Sequence, residues 1–163
     1  MYNSFFKSKI GILEIICDSE NLLEVRFSSK IMKSNSNLTC GKVQEELERY
    51  LNGSLKEFKT PVKFTGTNFQ NKVWEELIMV PYGAVITYQD LANRVGNPKG
   101  VRAVANAVGK NKMLIIVPCH RIIGTNKSLT GFSAGLENKV KLLELEGFKI
   151  KRKPELKKSL LEF

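Results

Sequence analysis

Apolar and polar positions alternate through the segment 12–17. Ile12, Glu14 and Ile16 interleave with Leu13, Ile15 and Cys17. A period of two predicts a strand. Asp18–Asn21 supplies turn residues, and Leu22–Phe27 is a second extended run, so Ile10–Phe27 reads as a β-hairpin. Ile31–Thr39 is rich in Asn and Ser and reads as a loop. The period then lengthens. Val43, Leu47, Tyr50 and Leu51 recur at helical spacing, and Asn52–Gly53 ends the helix they predict. Leu55–Phe64 is expected to be extended. Residues 1–65 therefore form a small α/β lobe, and no reactive constellation is visible in it.

From Gly66 onward the pattern is mainly helical. Thr67-Asn68-Phe69-Gln70 fits a capping box, in which the threonine oxygen and the glutamine side chain satisfy exposed amides of the first turn. Val73, Trp74, Leu77 and Ile78 are the inward stripe of that helix, and Pro81-Tyr82-Gly83 stops it. Thr87-Tyr88-Gln89-Asp90 opens a second helix, which runs to Arg94. Asn97-Pro98 is expected to open a third, with Asn97 as N-cap. These two helices, joined by Val95-Gly96, have the form of a helix-turn-helix. On the third, Val101, Val104 and Val108 point inward. Arg102, Ala105, Asn106 and Gly109 share another face, small apart from one arginine, and would let the helix approach a nucleic-acid groove closely. A plain amphipathic core helix has the same pattern. Met113–Val117 is an apolar run read as a buried extended segment ending at Pro118. Leu136, Val140 and Leu143 predict a last helix that Gly147 terminates. The tail 149–163 is basic and is expected to be poorly ordered. The fold class is thus α/β (α+β): the N-terminal lobe, a helical domain over 66–148, and the tail.

Charge sharpens this division. The chain of 163 residues has 26 basic and 16 acidic side chains, a net charge of +10. Residues 1–83 hold 11 basic and 10 acidic groups, residues 84–130 hold 7 and one, and residues 131–163 hold 8 and 5. A neutral first half and a basic second half point to a polyanionic partner for the second. No apolar run is long enough to span a membrane, and the first twenty residues lack a basic segment followed by a continuous apolar stretch, so a secretory signal is not expected. The three cysteines, Cys17, Cys40 and Cys119, are too few and too scattered for a disulfide framework. With only one histidine they suit no zinc site. The compartment this implies is a reducing cytoplasm.

The chemistry centres on Cys119. It follows an apolar run and a proline and adjoins the only histidine, His120. A thiol reacts as its thiolate, which a nearby imidazole favours. Adjacent side chains diverge, so a water bridge between the two is easier than a direct ion pair. A buried inert cysteine beside a core histidine is the competing reading.

Val117-Pro118-Cys119-His120-Arg121-Ile122-Ile123 resembles the active-site motif of the O6-alkylguanine-DNA alkyltransferases. The resemblance covers 66–147 in order: Phe69-Gln70, Val73-Trp74, Pro81-Tyr82-Gly83, Thr87-Tyr88, Gly96-Asn97-Pro98-Lys99, Arg102-Ala103-Val104, Asn111, the cysteine motif, Gly131–Leu136 and Leu145-Glu146-Gly147. It implies direct-reversal DNA repair. The protein would bind duplex DNA and flip out O6-methylguanine, and O4-methylthymine as well. Cys119 would then take the alkyl group irreversibly, with no cofactor and no metal. By the same resemblance, Glu146 orients His120, which deprotonates Cys119 through water. Tyr88 pushes on the phosphate and donates to the guanine ring, and Arg102 fills the vacated stack on a helix that also presents Ala103 and Asn106. The Ser133 amide bonds the alkylated oxygen, backbone carbonyls near Cys119 and Ile122 accept from the exocyclic amine, and Asn111 ties the helix-turn-helix to the cysteine segment. The implied protein is a monomer. Departures are Lys112 where proline is usual, Phe132 where tyrosine is common, and Ala105 and Asn106 at glycine-type positions. Three other readings make different predictions. A non-catalytic alkyltransferase-like damage binder would lack the cysteine. A helix-turn-helix regulator would ignore alkylation. A cysteine hydrolase would need a histidine separated from the cysteine.

Overall fold

Strand β2 (Gly11–Cys17) shows why the alternation holds. Leu13, Ile15 and Cys17 are fully buried. It pairs antiparallel with both neighbours, β1 (Tyr2–Ser8) and β3 (Leu22–Ser28), in the order β1-β2-β3. The expected hairpin is therefore the inner part of a three-stranded sheet. β1 escapes pattern reading because a serine, Ser4, shares its buried face with Phe6. Helix α1 (Leu38–Leu51) opens one residue before the end of the stretch read as loop, because Asn37 caps it by accepting from the Cys40 amide at 2.9 Å. Its buried face includes Val43, Leu47, Tyr50 and Leu51.

The structure does not make Leu55–Phe64 a strand; only an isolated bridge joins Val62 to Leu22. The physical reason is a competing acceptor. The Glu46 carboxylate takes the Lys59 and Thr60 amides at 2.8 and 3.2 Å, which withdraws them from any ladder.

The structure describes residues 1–162 in a computed structural model, and the chain divides into two compact units. The first is Met1–Thr65 together with Lys112–Ile116; the second is Gly66–Asn111 with the chain from Val117 onward. The short excursion is anchored in the first unit by Val25, whose amide donates to the Lys112 carbonyl at 2.9 Å and whose carbonyl accepts from Leu114 at 3.1 Å. Met113–Val117 is buried as expected, but it is extended only at its start. Ile115 has φ 73°, so the run turns there.

In the second unit, Thr67 and Gln70 form the predicted capping box of α2 (Asn68–Ile78). Val73, Trp74 and Leu77 are buried, whereas Ile78 is 38% exposed, because it is the helix's last residue. Trp74 Nε1 donates to the Ala107 carbonyl at 2.9 Å, pinning α2 to α4 (Val101–Gly109). Helix α3 (Tyr88–Arg94) also opens with a capping box, Thr87 with Asp90. Gly96, at φ 75°, makes the turn after it, a conformation costly for residues with a Cβ. The third helix starts later than the sequence suggests. Asn97 is not its N-cap: the Asn97 carbonyl accepts from Gly100 at 2.9 Å in a separate turn, and Gly100 caps α4. A Cβ on Gly100 would meet the Asn97 side chain, which would have to shift to make room for it.

Strand β4 (Ile86–Thr87) pairs in parallel with β5 (Ile122–Ile123). Helix α5 (Leu136–Leu145) follows. The tail is ordered, contrary to expectation, up to residue 162; Phe163 lies outside the described residues. Strands β6 (Lys149–Lys151) and β7 (Leu160–Glu162) form an antiparallel pair, and β7 also bridges to Ser128. Leu161 explains this, since it is buried in a cluster with Ile123, Leu129, Val140 and Leu143. Its apolar contribution was hidden among lysines. No helix among the described residues is long and apolar enough to cross a membrane.

Candidate active site

The β4–β5 ladder sets the geometry. Ile86 faces Ile122 and Thr87 faces Ile123, so Tyr88, next after β4, is brought beside the Cys119–Arg121 turn that precedes β5. Tyr88 and Cys119 line one cavity of about 550 Å³, with Ala105, Thr130, Phe132 and Ser133. That volume lies in the range of small-molecule sites. A second hollow, of about 600 Å³, is lined by Tyr88, Gln89, Lys99, Arg102, Ala105 and Thr125. Tyr88 and Ala105 belong to both. Arg102, Ala103 and Asn106 are exposed on α4.

Cys119 is 4% exposed. Asn111 Nδ2 donates to its sulfur at 3.2 Å and to the Val117 carbonyl at 2.9 Å, linking the end of the helix-turn-helix segment to the cysteine turn. Burial pushes the thiol's pKa up, while the Asn111 amide, the Lys139 charge and the backbone amides of Cys119 and His120 pull it back. The thiol is thus protonated at rest, within a ring of groups that stabilise its anion.

His120 is fully buried, and its Nε2 lies 2.9 Å from Glu146 Oε1. Burial lowers the imidazole's pKa, aided by Arg121 and Lys139 and opposed by Glu146. A neutral ring beside an ionised carboxylate carries its proton on Nε2, which leaves Nδ1 as the basic atom.

Glu146 has a fully buried carboxylate, not a solvated one. Burial alone would raise its pKa. The hydrogen bonds and charges of His120 and Arg121 overcome that and hold it at about 2. Arg121 is a residue that sequence reasoning passed over. It binds Glu146 through Nε at 3.1 and 3.0 Å and Nη2 at 2.8 Å, and donates from Nη1 to the Val80 carbonyl at 2.6 Å. The Gly83 amide adds a bond to Glu146 at 3.2 Å. An arginine inside an apolar motif was the available signal.

Lys139 was also missed. It is fully buried, and Nζ donates to the Ile122 carbonyl at 2.5 Å and lies 3.5 Å from the Gly131 carbonyl. Burial lowers its pKa to about 8. Its spacing, three residues after Leu136 and one before Val140, put it on the inward stripe. Ile122 is buried and does not line the thiol cavity. Among the described residues no His, Cys, Asp or Glu group forms a metal-holding cluster.

Two family models together match nearly the whole chain. The 6-O-methylguanine DNA methyltransferase DNA-binding domain matches residues 68–148, and the ribonuclease-like domain of the same family matches 1–64. The chain belongs to the methylated-DNA–protein-cysteine methyltransferase family. The Haemophilus influenzae methylated-DNA–protein-cysteine methyltransferase is 42% identical over 154 residues, covering 90% of this chain and 86% of that one. The Methanosarcina acetivorans methyltransferase is 42% identical over 154 residues, covering 90% and 99%. The crystal structure of Mycobacterium tuberculosis OGT in complex with DNA matches with a TM-score of 0.82 at 35% identity, over 88% of this chain and 91% of that one.

Within this methyltransferase the Glu146 network predicts an acid limit to stability. A carboxyl that titrates near 2 when folded and near 4.5 when free stabilises the fold fully above 4.5. That contribution fades as pH falls toward 2. Glu146→Gln is expected to lower stability at neutral pH and to flatten the decline between pH 4.5 and 2. Denaturant unfolding across a pH series measures both; parallel curves for the two proteins would refute the assignment.

Proposed function

We propose that this chain repairs duplex DNA by transferring an alkyl group from the O6 of a flipped-out guanine to Cys119, once per molecule. The observation that carries this reading is the shared Tyr88. It lines the cavity that holds the thiol and also the hollow that holds Arg102. One phenol thus faces both the reacting atom and the side chain suited to the gap in the stack.

The atom under attack is inaccessible within a duplex, so the nucleotide must rotate out. Arg102, an exposed planar cation on α4, takes its place, with Ala103 and Asn106 on the same helix meeting the groove. In the cavity, the Ser133 amide donates to the alkylated oxygen. Water relays the Cys119 proton to His120 Nδ1, while Glu146 holds Nε2. The thiolate attacks the alkyl carbon as the carbon–oxygen bond breaks. The electron pair passes to the guanine, and Tyr88 donates to the ring as charge develops there. The product is a thioether. Cys17 and Cys40 belong to the other unit and supply no second thiol to remove it. O4-methylthymine offers the same alkyl–oxygen bond and is a second substrate. The chain acts as a monomer. Three free thiols suit the reducing cytoplasm.

Intact-mass measurement after incubation with excess duplex containing one methylated guanine is expected to show a single added methylene, located at Cys119. Several product bases per protein molecule, or an unmodified Cys119, would refute the reading. A damage-binding protein without transfer would give no mass change, and a sequence-specific regulator would bind damaged and undamaged duplexes alike.

A further inference from the structure

Thr130 has three unusual features at once. Its φ is 50°, a left-handed conformation that is a genuine outlier for a β-branched residue. Its Oγ1 is buried and makes no well-formed hydrogen bond among the described residues. It lines the cavity that holds Cys119 and Tyr88. The hydroxyl it faces is the Tyr88 phenol. Burial raises the phenol's pKa, and Thr130 opposes that rise. Glycine would sit at this φ without strain, so the local backbone gives no reason for threonine.

We propose that Thr130 is a positioning residue for alkyl transfer: its hydroxyl donates to the Tyr88 oxygen while Tyr88 donates to the leaving guanine. The inference rests on the role given to Tyr88 above. The phenol oxygen can accept one bond and give one. A donor on the oxygen draws electron density from the O–H bond and makes the phenol a stronger donor to the base, because linked hydrogen bonds polarise each other. In the resting protein Thr130 Oγ1 makes no well-formed hydrogen bond among the described residues, which leaves this hydroxyl able to turn when the base enters. The effect belongs to the transition state, where charge on the guanine grows. It should therefore appear in the rate at saturating DNA and not in DNA affinity.

The test is single-turnover alkyl transfer on methylated duplex. Thr130→Val keeps the branching, and hence the backbone strain, but loses the hydroxyl. It is expected to slow the saturated rate by about three- to tenfold, the worth of one neutral hydrogen bond. The half-saturating DNA concentration should not change. Thr130→Ser should restore the rate. Thr130→Gly should unfold at the same temperature as the parent or a higher one, and still react slowly, which a purely structural role would not produce. In a Tyr88→Phe background, Thr130→Val should add nothing. A parent-like rate for both Thr130→Val and Thr130→Gly overturns the proposal. So does an equal slowing by Thr130→Val with and without the phenol. If Tyr88→Phe itself reacts at the parent rate, the role assigned to Tyr88 falls and this inference with it. If Tyr88→Phe is slow but the Thr130 variants are fast, only the inference falls.

Discussion

Cys119→Ser is expected to lose alkyl transfer completely while still binding methylated duplex. Serine is nearly the size of cysteine, so the contact from Asn111 Nδ2 and the cavity wall survive. The chemistry does not. A hydroxyl is far harder to ionise than a thiol, and the groups around this position do not outweigh burial even for sulfur. Intact mass after long exposure to methylated duplex, with a binding isotherm beside it, measures both halves. A methyl group appearing on the Cys119→Ser variant would remove Cys119 as the nucleophile. Loss of binding with the fold intact would mean that the thiol contributes to holding the DNA.

Replacing Arg102 by alanine separates repair from general DNA binding. If Arg102 fills the space left by the flipped nucleotide, its value exists only while a base is out. Unstacking and unpairing cost a few kcal/mol, and each ~1.4 kcal/mol of lost compensation is tenfold in rate. Arg102→Ala should therefore slow transfer from duplex by about ten- to a thousandfold and leave the reaction with free O6-methylguanine base near normal. Arg102 is exposed and α4 is held by Trp74, so the fold should be unaffected. A simple phosphate contact would instead weaken binding to every duplex and reduce the salt slope by about one. Equal slowing on base and duplex would point to a damaged cavity.

What the sequence disclosed followed from local physics. The alternation at Leu13, Ile15 and Cys17, the capping box at Thr67 and the helix start at Thr87 require only neighbours in the chain, and all appear in the structure. The elements that escaped depend on distant partners. β1 is held by pairing with β2 and not by its own pattern. The tail orders because Leu161 finds a core contributed by α5 and the segment around Leu129. Leu55–Phe64 loses its ladder to a carboxylate on α1. The candidate site shows the same division. Cys119 and His120 are adjacent and stand out, and Glu146 emerged through the family resemblance. Lys139 and Arg121 occupy inward or apolar positions in the sequence, but only the folded chain brings their nitrogens to the Ile122 carbonyl and the Glu146 carboxylate. Thr130 had no signal at all, because a left-handed threonine is written in dihedral angles and not in residue type.

The excursion at Lys112–Ile116 bears on how this protein can be shortened. A fragment starting at Gly66 looks like a natural catalytic module, yet it would carry a stretch that belongs to the discarded unit. Met113, Leu114, Ile115 and Ile116 are 3%, 6%, 1% and 7% exposed in the intact chain. In the fragment they join Val117 as an uncovered apolar run, missing the backbone partner that Val25 supplied. Such a run is a template for intermolecular strand pairing, and it ends two residues before Cys119. A soluble minimal methyltransferase therefore calls for redesign of this stretch as well as a cut at residue 66.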